Sequence, residues 1–180
     1  MLACLVPLTG RRLVLVDGRS GSGKTTTAAR LAELLDAVVV HTDDVAWHLH
    51  PTDWEDELVA GVLDPWRRGE SVDYRPPGWI AKGRPGSVVV PPTRILVVEG
   101  VGAARASLAA GADLVVWVHS DAAEARRRGV ARDVVTEGRS REEAERFWDE
   151  WAAHEDPFLA AERPRERAHL IVDGTPSSGG

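Results

Sequence analysis

Five short runs of aliphatic and β-branched residues punctuate the chain, at 12–16, 37–41, 94–98, 113–118 and 169–172, and each reads as a strand. The runs are continuous rather than alternating, which suits strands covered on both faces. Between them lie longer mixed segments at 24–35, 53–68, 121–137 and 141–161 that read as helices. Strand and helix in alternation predict an α/β fold built on a parallel sheet. Asp121 followed three residues on by Glu124 predicts a capping box at the start of one helix. The pattern breaks at 69–92, where Pro76-Pro77, Gly78, Gly83, Pro85-Gly86 and Pro91-Pro92 interrupt two short extended pieces. That stretch reads as a hairpin-like insertion rather than a second domain, and 177–180 as a flexible end.

Length and charge narrow what this pattern can be. A chain of 180 residues is expected to be one domain, long enough to bury a core without staples, and its single cysteine, Cys4, cannot form an internal bridge. Residues 1–9 lack a basic leader and no apolar stretch reaches the length of a membrane span, so a soluble, cytoplasmic chain is expected. The net charge of -6 argues against a broad nucleic-acid footprint, which needs clustered Lys and Arg. A monomer and a homo-oligomer stay equally open.

The chemistry begins where the first strand ends. Gly18 to Thr25 reads GRSGSGKT, a complete GxxxxGK[ST] loop between a strand and a helix. Glycines let the backbone fold inward, so that the N–H groups of Gly18, Ser20, Gly21, Ser22, Gly23 and the helix start at Thr26 can face a polyphosphate. Lys24 would reach the β- and γ-phosphates and the Thr25 hydroxyl would ligate Mg²⁺. A nucleoside triphosphate is the expected ligand, in a P-loop fold with a five-stranded sheet ordered 2-3-1-4-5, the 69–92 insertion and a helical lid at 121–141.

Three further places belong to the same crevice, because ligands of open α/β sheets collect beyond the carboxyl ends of the strands. After the second strand comes Thr42-Asp43-Asp44, where one carboxylate can accept the proton of an attacking hydroxyl and the other hold metal-bound water; spacing alone does not say which. Glu99 closes the third strand before Gly100, placed to meet Mg²⁺ directly or through water. Arg128 and Arg132 are four apart on one helical face, where guanidinium groups can close over a transferring phosphoryl group. On the acceptor side, Trp47, Trp54, Trp66 and Trp79 offer aromatic walls, Tyr74 and Arg75 a hydroxyl and a bidentate donor, and Arg84 and His154 further polar contacts.

The order of these motifs resembles the uridine kinase and phosphoribulokinase-like group of P-loop kinases, over most of the chain. The resemblance implies Asp43 as the catalytic base and metal-side acid, and an adenine-contacting loop at Asp173-Gly174-Thr175. The family's lid reads approximately RRIxRDxxERGR, and the stretch from Arg128 reads RGVARDVVTEGR, which keeps Arg128, Arg132, Asp133, Gly138 and Arg139. His154-Glu155 and Phe158 are similar to a stretch before the family's last strand. Two departures stand out: Gly129 and Glu137 replace lid arginines, and Pro77-Gly78-Trp79-Ile80 replaces a PxYDF-like segment, with loss of its acid. The expectation is an ATP- and Mg²⁺-dependent small-molecule kinase acting on a hydroxyl, with a nucleoside monophosphate kinase or a regulatory nucleotide-binding module as alternatives. A guanine-reading Asn/Thr-Lys-x-Asp element and a Leu-Ser-Gly-Gly signature are both missing from the sequence.

Overall fold

A computed structural model describes residues 10–174, so Thr175 and the expected tail at 177–180 lie outside the described residues. Five parallel strands make the central sheet: β1 (Arg12–Gly18), β2 (Val38–His41), β5 (Ile95–Glu99), β6 (Leu114–His119) and β7 (Leu170–Asp173), in the order β2-β5-β1-β6-β7. Counting only these strands, this is the expected 2-3-1-4-5. The continuous apolar runs have the anticipated cause. Leu13 and Leu15 of β1 pack into one core with Leu96, Val98 and Val115, while Val14 and Val16 pack into another with Val97, Val116, Val118 and Ala28. Helix α1 (Lys24–Leu35) covers the second face.

Two smaller strands, β3 (Val72–Tyr74) and β4 (Val88–Val90), pair antiparallel beside the sheet. They are the two short extended pieces of the hairpin-like insertion, and the chain between them, where the sequence shows only turn residues, forms a helix, α5 (Pro77–Lys82), opened by Pro77 and closed by Gly83 in a left-handed conformation. Proline is tolerated in a first helical turn and glycine suits the cap, so these punctuators bound a short helix instead of preventing one. The expected helix at 53–68 starts later, as α3 (Glu55–Leu58), and passes through a π-helical turn at Val59–Leu63 before α4 (Asp64–Arg68). The widened turn carries Gly61, where an added Cβ would lie 2.6 Å from atoms of the Tyr74 ring.

Short helices α2 (Thr42–Ala46) and α6 (Ala106–Ala109) follow β2 and β5; neither was visible in the hydrophobic pattern. Helices α7 (Ala122–Thr136) and α8 (Arg141–Glu162) complete the fold. At α7 the Asp121 carboxylate accepts from the Glu124 N–H, but the Glu124 side chain turns to Arg127, so the expected box is half made. A complete capping box occurs instead at α8, between Ser140 and Glu143.

Candidate functional site

Sheet register alone aligns the chemistry. Glu99 is the partner of Val16 in β1 on one side and of His41 in β2 on the other, so the phosphate loop, the Thr42-Asp43-Asp44 turn and Glu99 leave the sheet at one level. The close approach is enforced at Gly100, with φ of +147°, where a Cβ would fall 1.7 Å from the Thr42 hydroxyl. Only glycine fits there.

The loop itself is held from beneath by Asp17, which is fully buried. Its carboxylate accepts from the N–H groups of Gly18 at 2.7 Å, Gly102 at 3.1 Å and Ala104 at 2.9 Å, tying the loop to the segment after β5. Burial pushes its pKa up to about 6, against the pull of those bonds and of Lys24. Gly23, left-handed at φ of +97°, begins α1, whose first turn has no acidic side chain to compete for its free N–H groups. Lys24 is buried and its ammonium donates to the Arg19 carbonyl at 3.0 Å, while the buried Ser22 hydroxyl has no partner.

Beside the loop, Glu99 Oε1 accepts from the Thr25 hydroxyl at 3.3 Å and lies 2.6 Å from His41 Nδ1. Its other oxygen is buried and has no partner in the protein. The hydrogen bond to Glu99 raises the His41 pKa, aided by the charges of Glu99, Asp44 and Asp43 and opposed by partial burial. Asp43 is near enough to Lys24, Glu99, His41 and Asp44 to feel all four. Its side chain is exposed to the cleft, but loss of water around its carboxyl raises the pKa, with Lys24 as the main opposing charge. Among the described residues no three His, Cys, Asp or Glu side chains form a closed metal cage. An oxygen-rich edge with one unsatisfied carboxylate oxygen and a hydroxyl fits a hard cation that takes its remaining ligands from phosphates and water.

Asp44 faces another way. It forms an ion pair with Arg84 at 2.9 Å, and its carbonyl accepts from the Trp79 indole at 2.8 Å. The Arg84 guanidinium stacks 3.6 Å from the Trp79 ring centre and 5.1 Å from that of Trp47. These four acceptor-side candidates thus meet in one corner. Arg75, exposed, touches it only through the Arg84 carbonyl. Tyr74 does not join: its hydroxyl donates to Glu57 and its ring covers Gly61, and burial with that carboxylate raises its pKa. His154 is exposed, edge-on to His50 with ring centres 6.0 Å apart. Trp54 and Trp66 are core residues, with Arg105 over Trp54 and Arg11 over Trp66.

Helix α7 lies against the loop, since a Cβ on Gly21 would meet the Ala125 carbonyl oxygen at 2.2 Å. Arg128 donates to the Gly174 carbonyl and to the Ser120 hydroxyl, bracing the turn after β7. Asp173 ends β7 in register with His119. Arg132 turns back onto Asp133, whose other oxygen accepts from the Trp148 indole at 2.8 Å. The Trp148 ring occupies the space over Gly129, where an added Cβ would stand 1.8 Å from it. Position 129 is therefore a packing contact between α7 and α8.

The sequence assigns no role to Asp17 or His41, and Glu155 enters it only within the stretch similar to one before the resembled family's last strand. Asp17 and His41 carry a signal, an ionisable residue closing a strand next to a motif already recognised. The contact of Glu155 with the loop has no local signal, because its partner, the Ser20 N–H, is 135 positions away.

Among the described residues no helix is long and apolar enough to cross a membrane. No protein-family model matches the chain, and no curated protein matches it by sequence. Solved structures do. A candidate fructose transport system kinase from Silicibacter sp. TM1040 aligns with a TM-score of 0.62 at 23% identity, covering 93% of this chain and 90% of that one. A candidate uridine kinase from Bacillus stearothermophilus aligns at 0.55 and 19% identity, covering 94% and 92%. An uncharacterised protein from Eubacterium ventriosum aligns at 0.52 and 11%, covering 91% of each chain. With the sheet order and the GRSGSGKT loop, these likenesses show that the chain has the α/β P-loop fold found in those kinases.

Proposed function

We propose that this protein is an ATP-dependent kinase that transfers the γ-phosphate to a hydroxyl of a small molecule. One observation carries the reading: Lys24, Thr25, Asp43 and Glu99 converge beyond three adjacent strand ends, with one Glu99 oxygen buried and unpartnered. Loop N–H groups and Lys24 hold the phosphates, with Lys24 exchanging the Arg19 carbonyl for a phosphate oxygen. Thr25 and Glu99 would hold Mg²⁺, which when bound neutralises charge on the phosphates. Asp43 takes the proton of the acceptor hydroxyl, and its raised pKa makes it a better base than an ordinary surface aspartate. Arg128 and Arg132 lie on the helix that covers the loop; Arg132 must leave Asp133 to reach a phosphate.

The acceptor corner argues against a pyrimidine nucleoside. Arg84 stacks on Trp79 and flanks Trp47, so those rings are engaged by a guanidinium that a base would have to displace. A nucleoside monophosphate kinase is the second reading, favoured only by the arginines on α7. The test is a panel of hydroxylated metabolites, nucleosides and nucleoside monophosphates incubated with ATP and Mg²⁺ and read by mass spectrometry for one added phosphate. A hydroxyl compound should outpace uridine and cytidine, both remaining below about 10⁴ M⁻¹s⁻¹ in kcat/KM. Phosphorylation confined to monophosphates would replace the first reading by the second, and no transfer to any compound would remove both.

A further inference from the structure

One buried charge near the phosphate loop has no part in the chemistry described so far. Glu155, in the middle of α8, is 3% exposed. Its Oε1 accepts from the backbone N–H of Ser20 at 2.7 Å and from the Trp151 indole at 3.2 Å, and its Oε2 pairs with Arg19 at 3.3 Å. Arg19 also pairs with Asp156. A carboxylate this deep is costly unless its oxygens are filled, and here every partner but Trp151 comes from the loop. The same face of α8 continues the contact. One turn on, Phe158 covers Gly102, where a Cβ would lie 2.9 Å from its ring, and Glu162 accepts from the Ala106 N–H at 2.9 Å. Residues 151, 155, 158 and 162 share one helical face, so a single stripe grips both the phosphate loop and the segment that follows Glu99.

We propose that Glu155 is a positioning residue for the phosphate loop: its carboxylate fixes the Arg19-Ser20 arm, so that the loop is set for a nucleotide before one arrives. Glycines at 18, 21 and 23 make this loop intrinsically loose, and all three hold positive φ. Its hydrogen bonds within the backbone include only one that crosses the first turn, Ser22 N–H to the Arg19 carbonyl at 3.0 Å. That carbonyl also receives Lys24, so whatever fixes Arg19 and Ser20 also fixes where the Lys24 ammonium rests. A restraint on this arm from α8 removes conformational freedom that nucleotide binding would otherwise have to remove, which appears as tighter binding. Glu155 touches neither nucleotide nor acceptor; it acts through the loop.

The inference rests on the nucleotide-binding reading above, and two variants of the full chain separate the two ideas. Glu155→Asp retains the charge but withdraws the carboxylate by one methylene from Ser20; Glu155→Gln retains the reach and an acceptor oxygen. Two quantities are measured: hydrogen exchange at the Ser20 amide by NMR without nucleotide, and affinity for a non-hydrolysable ATP analogue with Mg²⁺ by calorimetry. Glu155→Asp should speed Ser20 exchange and weaken the analogue by about tenfold each, the scale of one hydrogen bond to a charged group. Glu155→Gln keeps the Ser20 bond but turns an amide N–H toward Arg19, so it should leave Ser20 exchange within about threefold of wild type and weaken the analogue less than Glu155→Asp does. The acceptor KM should not move in either variant. Wild-type exchange at Ser20 in Glu155→Asp, or unchanged analogue affinity despite faster exchange, overturns the proposal. Equal losses in both variants, tracking the melting temperature, would make Glu155 a stability residue only and overturn it as well. A wild-type chain that binds no analogue would instead sink the kinase reading, and the exchange measurement alone would then decide whether Glu155 braces the loop.

Discussion

Gly129 offers a test in which two well-known effects have opposite signs. It sits inside α7, where replacing glycine with alanine ordinarily stabilises a helix by about 1 kcal/mol. Here the new methyl would stand 1.8 Å and 2.1 Å from two atoms of the buried Trp148 ring. The ring cannot simply slide, because its indole N–H is held by Asp133 at 2.8 Å. Overpacking of this kind costs about 1–3 kcal/mol if α7 and α8 part slightly, and about 3–5 kcal/mol if the ring is expelled, the scale of losing a buried aromatic. Subtracting the helical gain leaves Gly129→Ala destabilised by about 2 kcal/mol. For a chain of this size that lowers Tm by about 4–8 °C. Circular dichroism melts check it, with near-ultraviolet bands reporting the Trp148 environment. In a Trp148→Leu background the same substitution should become neutral or stabilising, a coupling of about 2 kcal/mol or more. A rise in Tm for Gly129→Ala in the wild-type background would refute the packing described between α7 and α8.

Other substitutions separate the site's parts. Lys24→Ala should leave the fold intact and lower turnover by about 100-fold or more, since a preorganised charge on the phosphates is lost; near-native turnover in a folded variant would remove the loop from the mechanism. Asp43→Asn should retain nucleotide binding and lose most turnover, whereas Asp44→Asn should act mainly on the acceptor KM through Arg84; steady-state kinetics in the reverse order would move the base to Asp44. Asp17 links pH to stability. Because burial raises its carboxyl from 3.8 to about 6, the folded chain holds a proton that the unfolded chain has released, so stability falls as pH rises across that window. The shift is worth about 3 kcal/mol, and the Tm of Asp17→Asn should gain on wild type between pH 4 and pH 7 as this loss is removed; a constant gap would refute the burial argument.

Local sequence determined the class of the molecule. Continuous apolar runs at 12–16, 94–98 and 113–118 have only one economical use, strands covered on both faces, and the glycines of GRSGSGKT specify a turn that no other residues could make so tightly. Those signals lie within a few residues of the structure that they encode. The short helices α2, α5 and α6 were not legible, because four to six residues span too few turns for a hydrophobic period to show.

Tertiary structure decided which side chains meet. Asp43 and Asp44 are equivalent in sequence, and they are separated only because Arg84, 40 positions later, returns against one of them between Trp47 and Trp79. Tyr74 and Trp79 are neighbours on one insertion in the sequence; in the structure the Tyr74 ring lies over Gly61 of the π-helical turn and its hydroxyl donates to Glu57 instead. The anchors of the phosphate loop, Asp17 to Gly102 and Ala104 and Glu155 to Ser20, close spans of 85, 87 and 135 positions. No local pattern encodes contacts of that range. They exist because parallel strands bring their carboxyl ends to one edge of the sheet, and whatever leaves that edge must pack against whatever else leaves it.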